Sequence, residues 1–256
     1  MDPDRVTEKW PIDTQRFVIA CHAGCTERAP ENTLQAALDA VRLGADLLEC
    51  DIRTTADGHL ILMHDERVDR TTDGEGAVAQ HTLAQIRRLT IQDTRLPRLR
   101  KMQVPTLEAL LQVIQSKVGL YVDTKDVAPS HLRQILTHGE LIAKSYAYVS
   151  LDELPLWQRD FPSLRRMVTV PQNVTTATEM RSFLQKISIH AIDGPLDLPQ
   201  PCVLEASRHG VAFIPDTLTL TEGPSLWNDV IHRGAVGIQT DQPTKLTAFL
   251  TSRNLR

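Results

Sequence analysis

The chain has 256 residues, 41% hydrophobic and 23% charged, with 12 glycines and 15 prolines. These proportions fit a folded globular protein of one large or two small domains and exclude a collagenous or largely disordered chain. With 28 basic against 32 acidic residues, a net charge of −4 and no long basic run, the chain lacks the footprint of a dedicated nucleic-acid binder.

Residues 1–15 are polar and acidic, without the basic region and apolar core of a secretory signal, so a cytoplasmic location is expected. Apolar stretches reach only about 8 to 10 residues, short of the roughly 20 needed to cross a bilayer, so no stable membrane insertion is expected. Apolar or β-branched runs then predict eight strands: 16–22, 45–52, 119–125, 146–150, 165–170, 187–193, 210–215 and 235–241. Helical patterns follow each in turn: 33–43, 83–89 with 107–114, 131–137, 154–160, 177–185, 200–208, 224–233 and 245–250. Eight strand–helix units in this length predict an α/β fold, a TIM (βα)8 barrel, with residues 1–256 as a single domain. A doubly wound open sheet is the alternative, but the turn after the first strand, HAGCTERAPENT, lacks GxGxxG.

In the first helix Leu34, Ala37, Leu38 and Val41 share one face, Asn32 is the expected N-cap and Gly44 the stop. The longest break in the rhythm lies between the second strand and Thr106. There Asp57-Gly58 signals a hairpin into a second short extended run, a small insertion that a barrel places on its catalytic rim. Cys21, Cys25, Cys50 and Cys202 show no CxxC spacing and are expected to be free thiols.

Residues two apart in a strand face the same way, so Glu49 and Asp51 point together from the end of the second strand. Salt bridges to arginine would satisfy such a pair. A hard divalent cation, Mg²⁺ or Ca²⁺, accounts better for carboxylates at a barrel mouth, and Asp123 adds a third from the neighbouring strand. Lys125 shares the face of Asp123 and can compensate a phosphate's charge. His22 and His64, each ending an extended run, suit a general acid and a general base; ligation of a softer metal such as Zn²⁺ is the alternative.

The ordered set His22-Ala23-Gly24, Pro30-Glu31-Asn32-Thr33, Gly44-Ala45-Asp46, Glu49-Cys50-Asp51, Asp57-Gly58, His64-Asp65, Arg70-Thr71-Thr72, Val104-Pro105-Thr106-Leu107-Glu108, Asp123-Thr124-Lys125 and Gly237-Ile238-Gln239-Thr240-Asp241-Gln242-Pro243 resembles the glycerophosphodiester phosphodiesterase family. The resemblance spans nearly the whole chain. It implies a TIM barrel that hydrolyses small-molecule glycerophosphodiesters to glycerol phosphate and an alcohol with a divalent cation. It further implies His22 and His64 as the acid and base, Glu49, Asp51 and Asp123 as cation ligands, and Lys125 as a substrate contact.

Three positions depart from the family pattern. Ala23 stands where a phosphate-binding arginine is usual, and Arg28 in the same loop is the candidate to supply that charge, set against its reading as a solvated loop residue. Asp123 stands where glutamate is common. The seventh strand's usual Trp-Thr-Val-Asn is replaced by Ile214-Pro215-Asp216-Thr217-Leu218. A lysophospholipase-D-like activity and a catalytically weak phosphodiester-binding barrel are the competing readings. Cys25 is read as incidental and Arg70 as structural.

Overall fold

In the computed structural model, residues 16–96, 102–218 and 221–256 are described. The reading of residues 1–15 lies outside them. The described residues form nine strands: β1 (Val18–Cys21), β2 (Leu47–Thr54), β3 (Leu60–Leu62), β4 (Gly119–Thr124), β5 (Tyr146–Tyr148), β6 (Arg165–Val168), β7 (Ala191–Ile192), β8 (Ala212–Phe213) and β9 (Gly237–Thr240). All but β3 are parallel, in the order β8-β7-β6-β5-β4-β2-β1-β9. Backbone bonds close the ring between β8 and β9: the N–H of Val236 donates to Phe213 O at 2.9 Å and that of Gln239 to Pro215 O at 3.0 Å. The eight predicted strands are therefore the eight staves of a TIM barrel.

Helices cover the outside: α1 (Leu34–Leu43), α2 (Leu83–Ile86), α3 (Leu107–Ile114), α4 (Pro129–Ile135), α5 (Gly139–Ala143), α6 (Leu154–Asp160), α7 (Ala177–Leu184), α8 (Gln200–Arg208), α9 (Pro224–Arg233) and α10 (Pro243–Thr251). No helix among the described residues is long and apolar enough to cross a membrane. The helix expected at 131–137 begins two residues earlier because Pro129 fits the first turn, where its missing N–H is no loss, and α5 follows it as a second short helix. The strand expected at 187–193 shrinks to two residues, since the Ser188 carbonyl accepts from the side chains of Gln158 and Arg166 and not from a neighbouring strand.

Two apolar layers follow from the period of two along each strand. Val18, Ala20, Leu47, Tyr121, Tyr146, Met167, Ala191 and Ile214 fill the barrel interior. The alternate residues, among them Ile19, Cys21, Leu48, Val122 and Phe213, pack outward against the helices. Continuing the inward parity upward places a polar residue from every stave around the mouth: His22, Asp51, Asp123 and Tyr148 on one arc, Thr169, Asp193, Asp216 and Asp241 on the other.

The Asp57-Gly58 turn forms as expected, with Gly58 at φ +81 and β3 pairing antiparallel to β2. The insertion beyond β3 has its own small core of Ile61, Met63, Val68, Val78, Leu83, Ile86, Ile91 and Val104. All four cysteines are free and buried.

Candidate active site

The loop after β1 turns sharply over α1. Gly24 has φ +89, and a Cβ there would fall 2.6 Å from Ala36 Cβ, so this position requires glycine twice over. The tight turn aims the Ala23 N–H at Glu49 Oε2, 2.6 Å away. Asn32 is not the N-cap of α1: Thr33 is, its hydroxyl accepting from Ala36 N at 3.2 Å. Asn32 instead takes a left-handed conformation, φ +55, and its side chain turns inward to bracket Asp51. Its Nδ2 donates to Asp51 Oδ2 at 2.7 Å and its Oδ1 accepts from Asp51 N at 3.1 Å.

Asp51 and Asp123 are register partners across β2 and β4, with Glu49 two residues below Asp51. One oxygen from each of the three lies within 4.8 Å of the others. Glu49 and Asp51 are each 2% exposed. Burial first, then the charge of Asp51, pushes the Glu49 carboxyl well above the ordinary range, and burial raises Asp123 against the opposing pull of Lys125. Lys125 Nζ bonds Asp123 Oδ2 at 2.5 Å and reaches Asp51 Oδ1 at 3.1 Å. One ammonium against three crowded carboxylates leaves excess negative charge. Oxygen donors held this close by Asn32 and the Ala23 amide fit a hard divalent cation better than they fit one another.

His22 follows β1, with Nδ1 2.8 Å from Asp241 Oδ1 and Nε2 4.0 Å from Glu49 Oε2. Burial pulls this imidazole down, but the Asp241 hydrogen bond and the charges of Glu49, Asp241 and Asp51 outweigh it and hold it up to about 9. Asp241 is itself held: its N–H donates to Glu222, which also accepts from the hydroxyls of Thr217 and Thr240. His64 reaches the mouth by a different route. The β2–β3 hairpin folds the chain back so that Met63 N donates to Asp51 O, and Arg53 Nε donates to the His64 carbonyl. His64 Nδ1 lies 2.8 Å from Asp65 Oδ1, its side chain is half exposed, and its charge is felt by Asp123.

Arg70 grips Asp65 and, bidentately, Glu31, joining the insertion to the loop before α1. This is the structural role expected of it. The Arg70 hydrogen bond pulls Asp65 down to about 2, overcoming burial. A carboxylate depressed on folding contributes stability above its unfolded pKa of about 4, lost as pH falls towards 2. Replacing Arg70 with Met is therefore expected to move the acid-unfolding midpoint upward; identical acid limbs for the two proteins would refute this.

Of the seven residues expected at the site, six converge: His22, His64, Glu49, Asp51, Asp123 and Lys125. Arg28 is exposed and its guanidinium bonds none of the described residues. Asp241 and Asp65 were present in the quoted motifs but carried no assigned role, and Asn32 was expected only as a helix cap. What gives them away is contact: each orients a group that does have one.

A family model described as the glycerophosphoryl diester phosphodiesterase family matches residues 22–245. The chain belongs to this family. Phosphodiester hydrolysis is the chemistry that comes with it. The glycerophosphodiester phosphodiesterase of Bacillus subtilis is 26% identical over 258 residues, covering 91% of this chain and 86% of the relative. The crystal structure of a glycerophosphodiester phosphodiesterase from Agrobacterium tumefaciens superposes with a TM-score of 0.76 at 27% identity, covering 91% of this chain and 99% of that one. A phosphodiesterase from Oleispira antarctica, solved with the product sn-glycerol-3-phosphate, shares the fold with a TM-score of 0.77 at 20% identity, covering 91% and 96% of the two chains.

Proposed function

We propose that the protein hydrolyses glycerophosphodiesters to glycerol phosphate and an alcohol, with residues 1–256 acting as one domain. The observation that carries the reading is the convergence of three buried or half-buried carboxylates, Lys125 and two carboxylate-oriented histidines at one barrel mouth. The product bound to the Oleispira enzyme supports the substrate class.

Glu49, Asp51 and Asp123 are the residues to hold Mg²⁺ or Ca²⁺, which when bound supplies positive charge to the phosphoryl oxygens. Lys125 neutralises the phosphate from the β4 side. One histidine removes the proton from the attacking hydroxyl as its oxygen forms the new bond to phosphorus; attack by water gives glycerol phosphate directly, and attack by the neighbouring glycerol hydroxyl gives a cyclic phosphate that a water then opens. The opposite P–O bond breaks, and the other histidine gives its proton to the departing alkoxide. Asp241 and Asp65 fix the two imidazole rings, and Asp241 favours the charged form of His22.

Arg28 is proposed to supply the phosphate charge missing at Ala23. Arg28→Ala is then expected to lower kcat/KM about tenfold, the value of one charged hydrogen bond, and Ala23→Arg in that background to restore part of it. Unchanged kinetics in Arg28→Ala would remove Arg28 from the site. The function itself is tested by a panel of glycerophosphodiesters, lysophospholipids and nucleotide diesters. Turnover of the first group alone is expected, and turnover confined to lysophospholipids would transfer the assignment to the lysophospholipase-D reading.

A further inference from the structure

Opposite the cation ligands, the β7–β9 arc of the mouth carries polar groups that the mechanism does not use. Asp193, two residues after Ala191 of β7, accepts from the Thr169 hydroxyl at 2.8 Å and from the Tyr121 hydroxyl at 3.4 Å. Its backbone carbonyl accepts from Asp216 N at 3.0 Å, which places the two aspartates side by side. Asp216 spends Oδ1 on its own turn, accepting from Leu218 N at 2.6 Å. Neither carboxylate forms an ion pair among the described residues, and the only positive charge felt at Asp216 is that of His22, which is held by Asp241. Gln239 stands beside Asp216 as its parallel bridge partner and shares register with Ala20 of the barrel interior, so its side chain faces inward. That side chain is 94% buried, and its Oε1 has no hydrogen-bond partner.

A buried acceptor left unpaired is costly, and two carboxylates without a cation repel each other. Both penalties disappear if the arc receives a group rich in N–H or O–H donors. A phosphate does not qualify, because the aspartates would repel it. In a phosphodiester held between Lys125 and the histidines, what can face this arc is the organic part of the ester. A neutral hydroxyl satisfies one acceptor and leaves the charge. A primary ammonium offers three N–H donors to Asp193, Asp216 and Gln239 Oε1 and neutralises the surplus.

We propose that Asp193, Asp216 and Gln239 form a subsite for a primary ammonium group on the leaving alcohol, making aminoalcohol glycerophosphodiesters the preferred substrates. Asp216 lies in the seventh-strand stretch that departs from the family pattern, so the subsite belongs to this chain's own sequence. The inference rests on the proposed function and deepens it.

The test compares kcat/KM for the glycerophosphodiesters of ethanolamine, choline and glycerol in the wild type, Asp216→Asn and Asp193→Asn. The wild type is expected to favour the ethanolamine ester over the glycerol ester by about tenfold, with the choline ester, which has no N–H, losing that advantage. Asp216→Asn is expected to bring the ethanolamine-to-glycerol ratio within about twofold of unity. Equal rates for the three esters in the wild type, or a ratio unmoved in both variants, would overturn the proposal. Calorimetric binding of the same esters separates it from the reading beneath it. Tighter binding of the ethanolamine ester without turnover of any ester keeps the subsite and rejects the hydrolase; turnover without discrimination does the reverse.

Discussion

Replacing His22 or His64 with alanine is expected to lower kcat by about 10² to 10⁴, the usual contribution of a positioned proton-transfer group. Both rings are held through Nδ1 by a carboxylate, Asp241 for His22 and Asp65 for His64, which leaves Nε2 free to exchange a proton at the mouth. An activated substrate separates their roles. A nitrophenyl diester departs without a proton, so it rescues the variant lacking the acid and leaves the variant lacking the base impaired. Because each histidine has its own carboxylate, Asp241→Asn and Asp65→Asn should each produce a smaller loss of kcat with little change in KM. If both alanine variants lose bound metal, the histidines are ligands and the acid–base assignment fails; near-normal turnover in both removes them from the mechanism.

The second large effect concerns the carboxylates. Asp51 accepts from Asn32 and from Lys125, and with Glu49 and Asp123 it completes a set of oxygens within 4.8 Å of one another. Asp51→Asn keeps the shape and removes the charge. It is expected to weaken divalent-ion binding by more than the roughly 10- to 100-fold contributed by groups that merely orient a ligand. Asn32→Ala, which frees Asp51 to turn, is expected to fall within that smaller range. Equal ion affinity in wild type and Asp51→Asn, measured by calorimetry, would show that the cation is bound elsewhere.

The eight staves were legible in the sequence because apolar runs of strand length alternate with amphipathic helices, and the period of two along each strand also fixed which residues share the mouth. Glu49, Asp51, Asp123 and Lys125 followed from that parity alone. His64 was harder: it lies beyond a hairpin arm and not a barrel strand, and only the antiparallel return of β3 past Asp51 brings it back. Asn32 was misread for a physical reason. Residue type suits it to an N-cap, but the αL turn hands that task to Thr33 and frees the amide to reach across 19 residues to Asp51. Asp241 and Glu222 were silent as well. Their role exists only once β9 closes against β1 and sets Asp241 beside His22, a contact between residues 219 positions apart. The acidic arc of Asp193 and Asp216 depends likewise on short staves that sequence placed but did not delimit.

The central claim, a cation-dependent glycerophosphodiesterase at the β2–β4 side of the barrel mouth, is tested most directly by following glycerol phosphate release from a glycerophosphodiester by phosphorus NMR. The measurement is made with added Mg²⁺ or Ca²⁺, after exhaustive chelation, and after the ion is restored. The account predicts turnover that chelation abolishes, the ion restores, and Asp51→Asn does not recover at any comparable ion concentration. Full turnover by a chelated protein retaining no ion, or no glycerol phosphate under any of these conditions, would contradict it.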